Sequence, residues 1–244
     1  MNELTYVLDA GNTSVKIGLF EAGVLKNVRR VSTIDKANWN EISEKIPKNA
    51  KIVICSVASE AFHSFVQKLS SDITFIDSKS PLPFRNAYHT PESLGMDRLS
   101  NAVAIHSLKE TTNAVAIDIG TCIKFDLVEG NQYSGGSISP GIDLRYKAMH
   151  DFTAKLPLID VHSHDSFIGQ NTVTSMAAGV IQGIDAEIKG MMNKYREKFG
   201  SDLTFFVTGG DAVYFDFEGK NDIFADPNLT LKGVYEIYLC HVAC

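Results

Sequence analysis

The pattern apolar, Asp, apolar, Gly and then Thr occurs twice in this chain, in Leu8-Asp9-Ala10-Gly11-Asn12-Thr13 and in Ile117-Asp118-Ile119-Gly120-Thr121. The two aspartates stand close to half of the 244-residue chain apart. Three residues beyond each Thr comes a lysine, Lys16 or Lys124. Apolar runs at 4–8 and 114–117 lead into the motifs, and runs at 15–20 and 123–128 follow them. Glu21-Ala22-Gly23 and Glu129-Gly130-Asn131 then read as hairpin turns. One such motif is an ordinary turn; two at half-chain spacing in the same strand–turn–strand setting predict a duplicated domain. The boundary falls near Thr111-Thr112-Asn113, giving domains 1–111 and 112–244.

Between these landmarks the chain alternates strand and helix, the mark of an α/β layer architecture. Helices are expected at 41–46, 61–69 and 97–108, and strands at 51–57 and 73–76. Residues 78–90, with Pro81 and Pro83, read as a loop of the kind that carries function. In the second half, Gly135 to Gly141 reads as a glycine-rich turn. Helices follow at 142–156 and 174–195, the second with Met176, Val180, Ile184 and Ile188 at fourfold spacing. A strand at 203–207 ends at Thr208-Gly209-Gly210-Asp211, and a helix at 231–242 closes the chain.

A strand, a tight Asp/Gly/Thr turn and a second strand form a plausible phosphate loop. Glycine lets the backbone approach an anion, turn N–H groups can point at its oxygens, and the Thr hydroxyl adds a donor. An ionised Asp repels phosphate, so Asp9 and Asp118 are expected to hold a cation or its water. Neither loop fits GxxxxGK[ST] or GxGxxG, which disfavours those nucleotide-binding classes. Lys16 and Lys124 read either as phosphate ligands or as strand residues facing solvent. Asp97, at the start of its predicted helix, reads as a general base or as a helix cap. Arg98 beside it could pair with a substrate carboxylate or form a surface ion pair. His162-Ser163-His164, between Asp160 and Asp165, reads as a solvated loop or a metal cluster. Thr208 to Asp211 reads as a strand-end turn or a contact for adenine and ribose.

The formal net charge is −6 and the longest basic run is Arg29-Arg30, so no phosphate-backbone stripe for nucleic acid is present. Cys55, Cys122, Cys240 and Cys244 have no CxxC spacing, and reduced thiols in a cytoplasm are the simplest reading. The first residues lack a signal-peptide pattern, and no apolar run approaches the ~20 residues of a membrane span. A cytoplasmic, soluble protein is expected.

Asp9 to Lys16, Tyr88, Gly95-Met96-Asp97-Arg98, Asp118 to Thr121, Gly135 to Gly141 and Leu229-Thr230-Leu231-Lys232-Gly233 together resemble the type III pantothenate kinase family. The resemblance runs in the family's order across nearly the whole chain. It implies two duplicated actin-like (ribonuclease H-like) domains with an ATP cleft between them. It also implies phosphorylation of pantothenate by ATP, the first committed step toward coenzyme A, in a homodimer. A divalent cation, expected to be Mg2+, and a monovalent cation, K+ or NH4+, are implied with it. By position, Asp9, Ala10, Gly11, Asn12, Thr13, Ser14, Val15 and Lys16 would form the first ATP loop, and Thr121 would bind ATP phosphate. Asp97 would be the general base. Tyr88, Gly95, Met96, Asp97, Arg98 and Thr172 would meet pantothenate, and Asp118 would hold the monovalent cation. The family more often has Ser where Asn171 stands, and Ala where Cys122 stands. Two other functions stay in view: a transcriptional accessory factor on the same fold without kinase activity, and a kinase for another small acceptor. The acidic charge and the presence of Asp97 argue against the first, and the Tyr88 and Gly95–Arg98 grouping against the second.

Overall fold

The computed structural model describes residues 4–11, 14–32, 38–56, 59–108, 113–200, 202–217 and 222–243. Asn12, Thr13 and the expected boundary at 111/112 lie outside them. In chain order the first half contains β1 (Leu4–Ala10), β2 (Ser14–Glu21), β3 (Val24–Ser32), α1 (Trp39–Lys45), β4 (Lys51–Ser56), α2 (Glu60–Val66), β5 (Ile73–Ile76), β6 (Arg85–Asn86) and α3 (Met96–Leu108). The second contains β7 (Asn113–Ile119), β8 (Cys122–Glu129), β9 (Gln132–Pro140), α4 (Ile142–Asp151), α5 (Thr172–Ala177), α6 (Gly183–Phe199), β10 (Thr204–Thr208), β11 (Ile223–Ala225) and α7 (Leu229–Ala243).

The duplication read from the sequence extends to topology. One sheet has the order β3-β2-β1-β4-β5, and the other runs β9-β8-β7-β10-β11 with β6 beyond β9. In each, a hairpin's first strand is central, antiparallel to its partner and parallel to a later strand. A central strand covered on both faces needs a continuous apolar run rather than alternation. Ile52, Val53, Ile54 and Cys55 of β4 are accordingly all buried, as are Ala114 to Ile117 of β7.

The chain divides into two compact units. The first comprises Met1–Leu108, Asn131–Tyr133 and Asn228–Cys244; the second comprises Lys109–Gly130 and Ser134–Pro227. The closing helix α7, which a division at half-chain leaves with residues 112–244, therefore belongs with the first unit. Its sequence explains the attachment. A Cβ on Gly233 would lie 1.8 Å from the Ser100 carbonyl oxygen, so only glycine lets α7 approach α3 this closely. Thr230 donates to Asn101 Oδ1 at 2.9 Å, and Tyr235 stacks on Phe20 at 4.2 Å.

In the second unit one apolar core joins β7, β8 and β10 to α4, α5 and α6. Two expectations are corrected here. Gly135 to Gly141 is mostly strand, not turn: β9 runs to Pro140. Its glycines serve close strand approach, since a Cβ on Gly136 would sit 1.6 Å from the Phe125 carbonyl oxygen. The helix expected at 174–195 is interrupted by a π-helical turn, Ala178–Gln182. Met176, Val180, Ile184 and Ile188 nevertheless all reach the core. Fourfold spacing outruns the 3.6-residue α-helical turn, and the wider π turn absorbs the drift.

Candidate active site

The first site is built at the tip of β1–β2. The register opposes Asp9 to Lys16 and Ala10 to Val15, and Gly11 N–H donates to the Ser14 carbonyl at 3.0 Å. Ala10 and Val15 bury their side chains in the core. Ser14 Oγ accepts from Arg30 Nε at 2.9 Å. Parallel pairing with β4 sets Cys55 beside Asp9 and Ser56 beside Ala10.

Asp97 lies one residue inside α3, whose first turn is closed by Leu99 N–H on the Gly95 carbonyl at 3.1 Å. Asp97 Oδ1 accepts from Arg98 N–H at 2.9 Å, so the carboxylate satisfies a helix-end donor as well as being a candidate base. Arg98 is only 4% exposed, which removes the surface ion-pair reading. Its guanidinium lies 5.7 Å from the Tyr88 ring centre, and Met96 is buried beside it in sequence. The expected grouping of Tyr88 with Gly95–Arg98 is thus assembled within the first unit. Cys55 ties this group to the loop. Burial first, then the Asp9 and Asp97 carboxylates, push its thiol well above the usual range, against a hydrogen bond with Ser100 that lowers it. Asp9 and Asp97 are therefore both within electrostatic reach of one buried thiol. Nothing in the spacing of Cys55 signals this; it follows from β4 lying next to β1.

The second site is the tip of β7–β8. Asp118 opposes Lys124, and Gly120 N–H donates to the Cys122 carbonyl at 3.2 Å. Lys124 Nζ lies 2.7 Å from Asp118 Oδ2, with both side chains about 15% exposed (15% and 14%). The solvent-facing reading of Lys124 is therefore replaced by an ion pair. Two glycines from other elements press on this loop. Gly141 N–H donates to the Thr121 carbonyl at 2.9 Å, and a Cβ there would lie 1.9 Å from the Gly120 carbonyl oxygen. Gly209 has φ +100°, and a Cβ there would lie 2.1 Å from the Ile119 carbonyl oxygen. Gly120 itself faces open space and Thr121 is exposed. Thr208 stands beside Asp118 on β10.

Thr172 opens α5 and is exposed. Asn171 is the helix N-cap, its Oδ1 accepting from Thr174 N–H at 2.9 Å. Asn caps as well as Ser, so this departure from the family pattern preserves the helix start. His162 faces carboxylates with both ring nitrogens, Asp143 at 3.0 Å and Asp160 at 3.2 Å. These three could offer donors to a metal, but the two aspartates are exposed and His164 is not in the group. The sequence reading missed the Arg145–Glu187–Ser139 network, in which Arg145 Nε also donates to the Pro140 carbonyl at 2.8 Å. It pins the end of β9 to α6, across a sequence gap that carries no local signal.

The donor set at Asp118 suits a hard cation in kind, because carboxylate oxygens are its ordinary ligands. A cation there must share the carboxylate with the Lys124 ammonium.

The sequence pattern of type III pantothenate kinase matches residues 5–194. A type III pantothenate kinase of Christiangramia forsetii is 37% identical over 234 residues, covering 95% of this chain and 96% of that protein. Among solved structures, a protein described as a Baf family transcriptional activator from Campylobacter jejuni is similar with TM-score 0.62 at 20% identity, covering 98% of this chain and all of that one. A ROK hexokinase from Thermus thermophilus is similar with TM-score 0.52 at 11% identity, covering 97% and 98%. At these identities the structural likenesses show the fold alone, the actin-like α/β fold that the family resemblance implies. No described helix is long and apolar enough to cross a membrane.

Proposed function

This chain belongs to the type III pantothenate kinase family, and on that premise we propose that it transfers the γ-phosphoryl group of ATP to the alcohol of pantothenate. The product is 4′-phosphopantothenate, the first step toward coenzyme A. The observation that carries the residue assignment is the strand pairing that sets Cys55 beside Asp9, with the Asp97 carboxylate acting electrostatically on the same buried thiol. It brings a candidate base to the loop proposed to hold phosphate. Phosphoryl transfer asks a protein mainly for positioning and charge stabilisation.

In this reading Asp97 accepts the alcohol proton as the oxygen attacks phosphorus, and ADP leaves. Arg98 and Tyr88, already 5.7 Å apart, hold the pantothenate carboxylate and chain, with Gly95 and Met96 bordering them, and Thr172 is a further pantothenate ligand. The loop from Asp9 to Lys16, with Asn12 and Thr13, receives ATP phosphates, as does Thr121. A divalent cation, Mg2+ in the simplest case, would be held by Asp9 and would supply charge that neutralises the phosphate oxygens. A monovalent cation, K+ or NH4+, would be held by Asp118. A homodimer in the cytoplasm completes the reading. It is supported by Phe152, Leu158, Phe167 and Ile168, apolar side chains exposed in the second unit, and by Cys55 and Cys122, which form no disulfide.

A coupled assay of ADP release over a panel of acceptors tests this. Turnover is expected with pantothenate, with little on sugars or other small acids. A protein that phosphorylates a sugar and leaves pantothenate untouched overturns the substrate assignment. Activity is expected to be low in sodium-only buffer and restored by potassium. Equal rates in both remove Asp118 from its role.

A further inference from the structure

Gly95 sits immediately before α3, two residues ahead of Asp97. Its φ is not in the left-handed region, so the backbone does not by itself demand glycine. The space around it does. A Cβ at this position would lie 2.5 Å from Asp97 Oδ1, inside any real contact distance. Its next neighbours would be Arg98 Cγ and Asp97 Cγ, both at an ordinary 3.7 Å. The collision is thus with one carboxylate oxygen and with no backbone atom. That same oxygen accepts the Arg98 N–H bond. The carboxylate folds back over the helix start into the volume where residue 95 lacks a side chain.

We propose that Gly95 is a positioning residue for Asp97: its missing Cβ is what lets the carboxylate reach the orientation in which it takes the substrate proton. This rests on the reading of Asp97 as the base. A methyl group at 95 evicts Oδ1, breaks its bond to Arg98 N–H and swings the carboxylate to another rotamer. The helix itself is spared, because a side-chain end moves at little cost. A shift of about 1 Å in a reacting group can lower a rate by roughly 10²-fold. The effect therefore belongs in kcat, not in the binding of either substrate.

The test is a double-mutant cycle of Gly95→Ala and Asp97→Asn, with kcat, both KM values and the thermal midpoint measured for each protein. Gly95→Ala alone is expected to lower kcat by about tenfold to 10²-fold. Its KM values should stay within about twofold and its midpoint within about 3 °C. In the Asp97→Asn background the same change is expected to alter kcat by less than about twofold, because the carboxylate it displaces is gone. Three outcomes overturn the proposal: wild-type kcat in Gly95→Ala, a full Gly95→Ala effect persisting in the Asp97→Asn background, or a midpoint drop of more than about 5 °C. The second would mean that the methyl obstructs substrate, and the third that it meets more than a movable carboxylate. Wild-type turnover in Asp97→Asn alone instead removes the base assignment beneath it.

Discussion

The hairpins β1–β2 and β7–β8 share a register in which an Asp faces a Lys, yet they are built differently. The first carries one more residue between its paired ends: Asp9 opposes Lys16, and Asp118 opposes Lys124. Lys124 closes on Asp118 at 2.7 Å. The second loop is also shaped from outside, by Gly141 and Gly209 pressed on its backbone. A Cβ on Gly11, by contrast, would meet, among the described residues, only the loop's own Ser14 carbonyl, at 3.4 Å. The strands beside them differ too. Next to Asp9 stands Cys55, which also feels Asp97; next to Asp118 stands the buried Thr208. The duplicated motif thus fixes a hairpin, while its surroundings assign each copy a task. One copy is joined to a candidate base, and the other is hemmed in by two glycines from other elements.

The hardest blow to this contrast comes from Gly209. Its φ of +100° with ψ of 159° is a region essentially restricted to glycine, and a Cβ would strike the backbone of Ile119. Gly209→Ala is expected to cost about 3 kcal/mol or more, a fall of more than about 6 °C in thermal midpoint. Gly11→Ala and Gly120→Ala should each cost less than about 1 kcal/mol. Equal costs for all three would erase the distinction between a loop shaped from outside and one shaped by its own turn.

Asp97→Asn tests the task assigned to the first copy. Turnover should fall by about 10²–10⁴-fold, while Asn still accepts the Arg98 N–H bond and the fold is kept. Unchanged turnover in a folded protein would make Asp97 a helix-end residue only.

The Lys124 pair sharpens the account of the second copy. Lys124→Met should cost about 1.5–3 kcal/mol, the range for a hydrogen bond to a charged group. It should also lower the potassium concentration for half-activation several-fold, because the cation no longer shares Asp118. An unchanged potassium response separates the ion pair from the cation. The smallest effect concerns Tyr146, on the helix that Gly141 begins, whose hydroxyl donates to the Val161 carbonyl at 2.9 Å. Burial, then the Asp143 carboxylate, raise it from 10.0 to about 12. The unfolded tyrosine loses its proton first, so stability is complete below about pH 10 and falls as pH rises toward 12. Tyr146→Phe should remove that fall and cost about 0.5–1.5 kcal/mol at neutral pH. A difference between the two proteins that is flat across pH 9–12 contradicts it.

Much of this was legible in the chain itself. The repeat of Asp, Gly, Thr and Lys predicts two hairpins, and the continuous apolar runs of β4 and β7 predict strands. Local sequence suffices there, because a hairpin closes over a few residues and burial on two faces leaves no polar alternation. Tyr88 and Gly95–Arg98 were legible only as an ordered set of family motifs. The remainder was decided by contacts between residues far apart in sequence. Cys55 lies next to Asp9 because β4 pairs with β1, and Arg145 meets Glu187 across two helices. The closing helix α7 belongs with the first unit because Gly233 lets it touch α3. Glycines that read locally as turn formers, Gly136, Gly141 and Gly209, turn out to be places where another backbone passes too close for a Cβ. Periodicity and turn chemistry describe what a segment can do alone; which backbone passes too close to leave room for a Cβ is a property of the assembled fold.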